Sequence, residues 1–279
     1  MNKYIAVFDS NRMSKSSLDY AIQLSQLTKA HLVAVFLDDF IYGTYDIRKG
    51  IKMDKEFEAV VKEFTAKEMK RRVDAEQQFQ KACSKANIPF SIHRDKKTAL
   101  QELKHESMFA DLIVINANET FTDYKHDAPT PFMKDLLADV QCPVVVVPNS
   151  FKAINKIVLL YDGRPSALYA IKMFSYLFAN GQDIAVEILT VKDQKANLHL
   201  PDNKLMREFI KKHFPKAVFT VLKGKAEEQI TGYLRTHKEN ELLVLGAYRR
   251  SELSRWFKTS MADTLMKALD TPLFIAHAN

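Results

Sequence analysis

The sequence predicts two tandem α/β domains, each a doubly wound, mainly parallel sheet of five strands with helices on both faces. Three observations predict it. The chain repeats itself once, short β-branched runs alternate with amphipathic helical stretches in each copy, and several runs are apolar at consecutive positions. Continuous runs such as VVVV and LLVL suit strands covered on both faces. Strand–helix alternation then implies parallel pairing through right-handed crossovers. At 279 residues the chain has the length of two ordinary domains.

The repeat is read from four matched blocks in the same order. NKYIAVFD at 2–9 matches NKIVLLYD at 155–162, each an apolar run ending in Asp9 or Asp162. SSLDYAIQLSQL then matches SALYAIKMFSYL, both amphipathic helices. ADLIVINAN at 110–118 matches NELLVLGAY at 240–248, and QCPVVVVP at 141–148 matches DTPLFIAH at 270–277. The domains are therefore 1–149 and 155–279. Strands are expected near 3–8, 31–37, 89–94, 111–115 and 143–148, and again near 156–161, 184–191, 217–222, 241–245 and 272–276. The copies differ most in the second helix. Residues 54–87 contain no Gly or Pro and predict a helix about 50 Å long. The helix after Pro201 is much shorter. The long helix either serves packing or covers a partner.

Composition narrows the class. Hydrophobic residues make up 47%, enough for a core in each half. Cys83 and Cys142 have no metal-type spacing, and a chain of this size needs no disulfide, so a reducing compartment is expected. The apolar run after the N-terminal charge is too short for a signal peptide, and there is no run of eighteen apolar residues. The expected location is cytoplasmic, with no membrane partner. The net charge of +7 raises nucleic acid as a partner. The lysines of KEFEAVVKEFTAKEMKRRVDAE alternate with acids, however, which reads as a solvated helix face, so nucleic acid is not expected.

In an open parallel sheet, ligands bind beyond the carboxyl ends of strands where the strand order reverses. Two loops of the second copy are placed for this. One is Asp162, Gly163, Arg164 and Pro165. The other begins at Gly246 and carries Arg249, Arg250, Arg255, Lys258, Thr259 and Ser260. A nucleotide phosphate needs backbone N–H groups at a helix N-terminus, hydroxyl donors and nearby cations. Thr259 and Ser260 stand where the last helix begins, and either donate to a phosphate or merely cap that helix. Asp162 has its own structural role open to it, capping the helix that begins near Pro165. There is no P-loop, nucleophile elbow or HExxH pair, so no catalytic residue and no metal ligand is assigned. The eight histidines read as structural or surface residues, and Cys142 as a small core residue. Trp256 and Phe257 form an apolar spot within the basic loop.

The two-copy order, the strand ending in Asp, and the strand–Gly loop leading to a helix and a CP or TP strand resemble the universal stress protein family. The resemblance covers both halves and implies a tandem member with a Rossmann-like fold of the adenine nucleotide alpha hydrolase type. Members that bind ATP carry Gly-x-x-Gly, nine residues, then Gly-Ser or Gly-Thr. The matching positions here are Gly246, Arg249, Thr259 and Ser260, with Leu253, Ser254 and Arg255 also matching the usual loop wording. The spacing is intact, whereas two glycines have become Arg and Thr. Glycine permits backbone angles and close phosphate approach that a side chain blocks. Arg249 either supplies charge to a phosphate or fills the cradle. In the first copy the matching positions are Asn116, Glu119, Thr130 and Pro131, with one extra residue. Glu119 and Asp123 would repel a phosphate there, and Pro131 has neither hydroxyl nor N–H.

The resemblance further implies adenine near Val191, ribose near Asp162, and pairing of the two copies through their last strands. The expected function is a non-catalytic stress-response or sensing protein that takes ATP, ADP or AMP in its second domain. A ligand-free scaffold for partner proteins is the rival, and slow ATP hydrolysis or autophosphorylation at Ser260 or Thr259 ranks third. A homo-oligomer and an unnamed protein partner both stay open.

Overall fold

The structure is a computed structural model that describes residues 1–9, 12–37, 55–94, 99–121, 126–178, 184–236, 239–247 and 260–277, with backbone alone for 55–65, 68 and 94. The first half supplies β1 (Lys3–Asp9), α1 (Lys15–Thr28), β2 (His31–Leu37), α2 (Lys55–Lys85), β3 (Phe90–Arg94), α3 (Ala99–Ser107), β4 (Leu112–Asn116), α4 (Pro131–Asp139) and β5 (Val144–Val147). The second half repeats the order with β6 (Lys156–Leu160), α5 (Pro165–Leu177), β7 (Ala185–Lys192), α6 (Asn203–His213), β8 (Val218–Lys223), α7 (Ala226–Thr236), β9 (Glu241–Gly246), α8 (Met261–Ala268) and β10 (Leu273–Ala276).

All ten strands form one sheet in the order β3-β2-β1-β4-β5-β10-β9-β6-β7-β8. Within each half every pair is parallel. The halves join where β5 meets β10, the one antiparallel pair among the described strands. Its register sets Val145 opposite Phe274, with Val146 opposite Leu273 and Val144 opposite Ile275. Val145 and Phe274, matching positions of the repeat, thus face each other on a local two-fold axis normal to the sheet, which exchanges the flanking pairs. The strand order reverses twice, between β1 and β4 and between β6 and β9. Those are the two places where a crevice opens at the carboxyl ends.

The continuous apolar runs are strands covered on both sides. One layer, built on Tyr4, Phe8 and Phe36, receives α1, α2, α5 and α6 through Leu24, Phe79, Phe174 and Met206. The opposite layer, built on Ile5, Val35 and Ile113, receives α3, α4, α7 and α8 through Leu103, Leu136, Ile230 and Leu265. On the first side the seam is aromatic, with Phe174 and Phe178 edge-on to Phe274 at 5.3 and 6.3 Å. The segment joining the halves is fixed on α1. Gln23 bonds both backbone groups of Ile154, and Phe151 packs edge-on to Tyr20 at 4.8 Å. The long helix expected over 54–87 spans Lys55–Lys85. Among its described side chains, Ala75, Phe79 and Cys83 pack on the sheet, while Lys67, Met69, Lys70 and Val73 are exposed.

At the amino ends of the strands, each half neutralises a lysine at the same position of the repeat. Lys3 Nζ lies 2.9 Å from Glu106, whose other oxygen is 2.6 Å from His93 Nδ1. Lys156 Nζ lies 3.0 Å from Glu187, 2.8 Å from Glu239 and 3.7 Å from Glu241. The Glu187 carboxylate also accepts from Thr220 and from the Tyr233 hydroxyl. No helix among the described residues is long and apolar enough to cross a membrane.

Candidate functional site

The second crevice lies between β6 and β9. Beyond β6, Tyr161 is buried and its carbonyl accepts from the Thr190 hydroxyl at 2.8 Å. The chain then turns outward. Asp162 Oδ1 accepts from the Arg164 backbone N–H at 2.9 Å, and Arg164 Nε lies 3.5 Å from Oδ2. Asp162 therefore closes a local turn and does not cap α5, whose N-cap is Arg164 with no side-chain cap bond. This corrects the capping role read from the sequence: Asp162 lies two residues before the N-cap, and its carboxylate is engaged by Arg164 rather than by the N–H groups of the first turn. The Asp162 side chain is 54% exposed, so it faces solvent at the rim. Gly163 has φ +85°, and a Cβ there would lie 2.6 Å from Pro201 Cβ.

Gly246 ends β9 directly beneath the first turn of α5. A Cβ at Gly246 would lie 2.3 Å from the Ser166 carbonyl oxygen and 2.9 Å from Ala167 N. The glycine is required there by helix–strand packing, whatever the loop beyond it binds. Gly246→Ala should push α5 off the strand and lower stability by about 1–3 kcal/mol. Urea unfolding reads this, and an unchanged midpoint would show that α5 does not need the contact.

Val191, near the end of β7, is half-buried and pairs with Leu222 of β8. Ser260 is the N-cap of α8. Its hydroxyl accepts from Asp263 N at 3.1 Å, and the Asp263 carboxylate accepts from Ser260 N at 3.3 Å. This reciprocal box is a signal the sequence carried, Ser260 followed three residues later by Asp263, and the sequence reading passed over it. The fold thus brings Asp162, Gly246 and Val191 to the carboxyl end of three adjacent strands. Arg249 and Thr259 lie outside the described residues, as do Arg250, Arg255, Trp256, Phe257 and Lys258.

The first crevice, between β1 and β4, is built differently. Asp9 and Glu119 are both buried, and Arg12 lies 3.4 Å from the Asp9 carboxylate. Burial pushes the Glu119 carboxyl up to about 7, helped by repulsion from Asp9 and opposed by Arg12 and the backbone N–H groups of Thr120 and Phe121. Asn116, at the position of Gly246, donates to Ser14 Oγ and to the Pro148 carbonyl, both at 3.4 Å. Thr130 is the N-cap of α4: its hydroxyl accepts from Met133 N at 3.2 Å and donates to the Glu119 carbonyl at 2.7 Å.

Thr130 also corrects the alignment of the copies. Sheet register pairs Asn116 with Val147 and Gly246 with Ala276, so Asn116 and Gly246 correspond. The two caps, Thr130 and Ser260, each follow fourteen residues later. There is no extra residue in the first loop, and Pro131 matches Met261 rather than Ser260. The first copy keeps the capping hydroxyl and turns it inward onto its own loop. Among the described residues no group of three or more His, Cys, Asp or Glu is placed to hold a metal ion.

No established family profile matches the sequence, and no curated protein matches it. Solved structures do. A universal stress protein from Archaeoglobus fulgidus DSM 4304 superposes with a TM-score of 0.71 at 12% identity, over 99% of this chain and 98% of that one. A putative universal stress protein from Pseudomonas aeruginosa UCBPP-PA14 gives 0.59 at 13% identity, over 99% and 92%. The cytoplasmic domain of a prokaryotic cation chloride cotransporter gives 0.54 at 11% identity, over 99% and 95%. At these identities the likeness is one of fold, and it extends over the whole two-copy arrangement.

Proposed function

We propose that the chain is a non-catalytic stress-response or sensing protein of the cytoplasm that takes an adenine nucleotide, ATP, ADP or AMP, into the crevice of its second half. The contrast between the two crevices carries the reading. The first is occupied by its own Asp9, Arg12, Glu119 and Thr130. The second has an exposed Asp162 at one rim, a glycine at the strand end, and a hydroxyl-capped helix start at the other. A phosphate is favoured at such a helix start by the backbone N–H groups and the helix dipole. The cations of the 249–258 loop add to that attraction.

The scaffold reading keeps one observation in its favour: the Ser260 hydroxyl and the Asp263 carboxylate already satisfy each other. Absorbance and mass of the small molecules released on denaturation, followed by titration of the full chain with ATP, ADP and AMP, separate the two. If Arg249 supplies charge to the phosphates, Arg249→Ala should weaken binding about tenfold or more. If Arg249 fills a relic cradle, Arg249→Gly should strengthen binding instead. No nucleotide released and no heat of binding would leave the scaffold reading standing.

A further inference from the structure

We propose that the face carrying α1, α2, α5 and α6 docks on an anionic membrane surface, with α2 and α6 as its two contact helices. The observation is a separation of charge that only the packing reveals. On the described parts of these four helices, exposed Lys and Arg outnumber exposed Asp and Glu eleven to two. On α3, α4, α7 and α8, across the sheet, the same count is three to four. Among the described helix residues, positive charge is therefore concentrated on one side, where its field adds up.

Helices of the basic face also expose apolar side chains. Met69 and Val73 of α2, Tyr176 of α5 and Leu205 of α6 are 68, 47, 58 and 67% exposed. The described residues of the four opposite helices include no large hydrophobic side chain so exposed, whereas Met108 and Phe109, just past the end of α3, reach 57 and 65%. Lysines interspersed with aliphatic and aromatic side chains on a helix surface are what an acidic headgroup layer over an apolar interior accepts. Nucleic acid would use the cations and leave Met69, Val73 and Leu205 without a partner.

Symmetry favours a planar partner over a peptide groove. Helices α2 and α6 each follow the second strand of their half, so the axis through the Val145–Phe274 pair relates them. A plane normal to that axis meets both at once, and two weak attachments then act as one stronger attachment. The expectation of no membrane partner rested on the lack of a spanning segment, and a surface contact, which departs from that expectation, requires none.

Co-sedimentation of the full chain with vesicles tests this, using three parts phosphatidylcholine to one part phosphatidylserine against phosphatidylcholine alone. The chain should pellet with the acidic vesicles only, and progressively less as salt is raised. Lys211→Glu with Lys212→Glu should lower partitioning about tenfold or more. Lys134→Glu with Lys267→Glu, on the opposite face, should leave it unchanged. Equal pelleting with both vesicle types, an equal loss from the opposite-face pair, or retention of a DNA duplex without retention of vesicles would each overturn the proposal.

Discussion

Lys156→Met should lower stability by about 3–5 kcal/mol, because it leaves buried carboxylates without their cation. The Lys156 ammonium is shared by Glu187, Glu239 and Glu241, and the Glu187 side chain is only 2% exposed. Burial by itself would raise the Glu187 carboxyl. Hydrogen bonds from Thr220, Tyr233 and Lys156 outweigh it and hold the group below its ordinary value. A depressed carboxyl contributes stability above its unfolded value and loses it as pH falls through the folded one. The penalty of Lys156→Met should therefore be largest near neutral pH and shrink in acid, where Glu187 protonates. Denaturant unfolding of both proteins across that range reads the effect. A penalty that does not change with pH would mean the lysine acts by packing its stem and not by its charge.

Glu119→Gln should do the opposite and stabilise the protein above neutral pH. The Glu119 carboxyl stands at about 7 in the folded chain against an ordinary 4.5. That difference corresponds to roughly 3 kcal/mol. The sign follows from a raised value: the contribution is fully present below the unfolded value and is lost as pH rises through the folded one. Wild type and Glu119→Gln should thus be equally stable at about pH 4 and diverge by about pH 8, the variant being the more stable. Parallel stability curves over the whole range would show that the Glu119 carboxylate is solvated and that the first crevice is not closed in this way. Nucleotide binding in the second half should be the same in both proteins.

Much of the fold was legible because it is written in local patterns. VVVV and LLVL can only be strands covered twice, and four blocks in the same order can only be a duplication. Helix α2 was legible as a long uninterrupted run. The candidate site was legible in part. Gly246 ends β9 and Asp162 lies two residues beyond β6, and their positions follow from where the apolar runs stop. The role of Gly246 did not follow, because the Ser166 carbonyl that excludes a Cβ comes from a helix eighty residues earlier in the chain. The match of Thr130 with Ser260 was missed for a similar reason. Counting glycines along a loop cannot show which residue begins the helix, whereas the cap bonds and the strand register do.

The sequence by itself determined two copies of one α/β unit, their strands and the ends at which ligands would enter, since periodicity and strand length depend on near neighbours alone. Tertiary structure decided the rest. It set Val145 against Phe274, buried Glu119 beside Asp9, and sorted the helices onto two faces of unlike charge. Each of these depends on groups far apart in the chain, and burial and Coulomb interaction are fixed by distance in space.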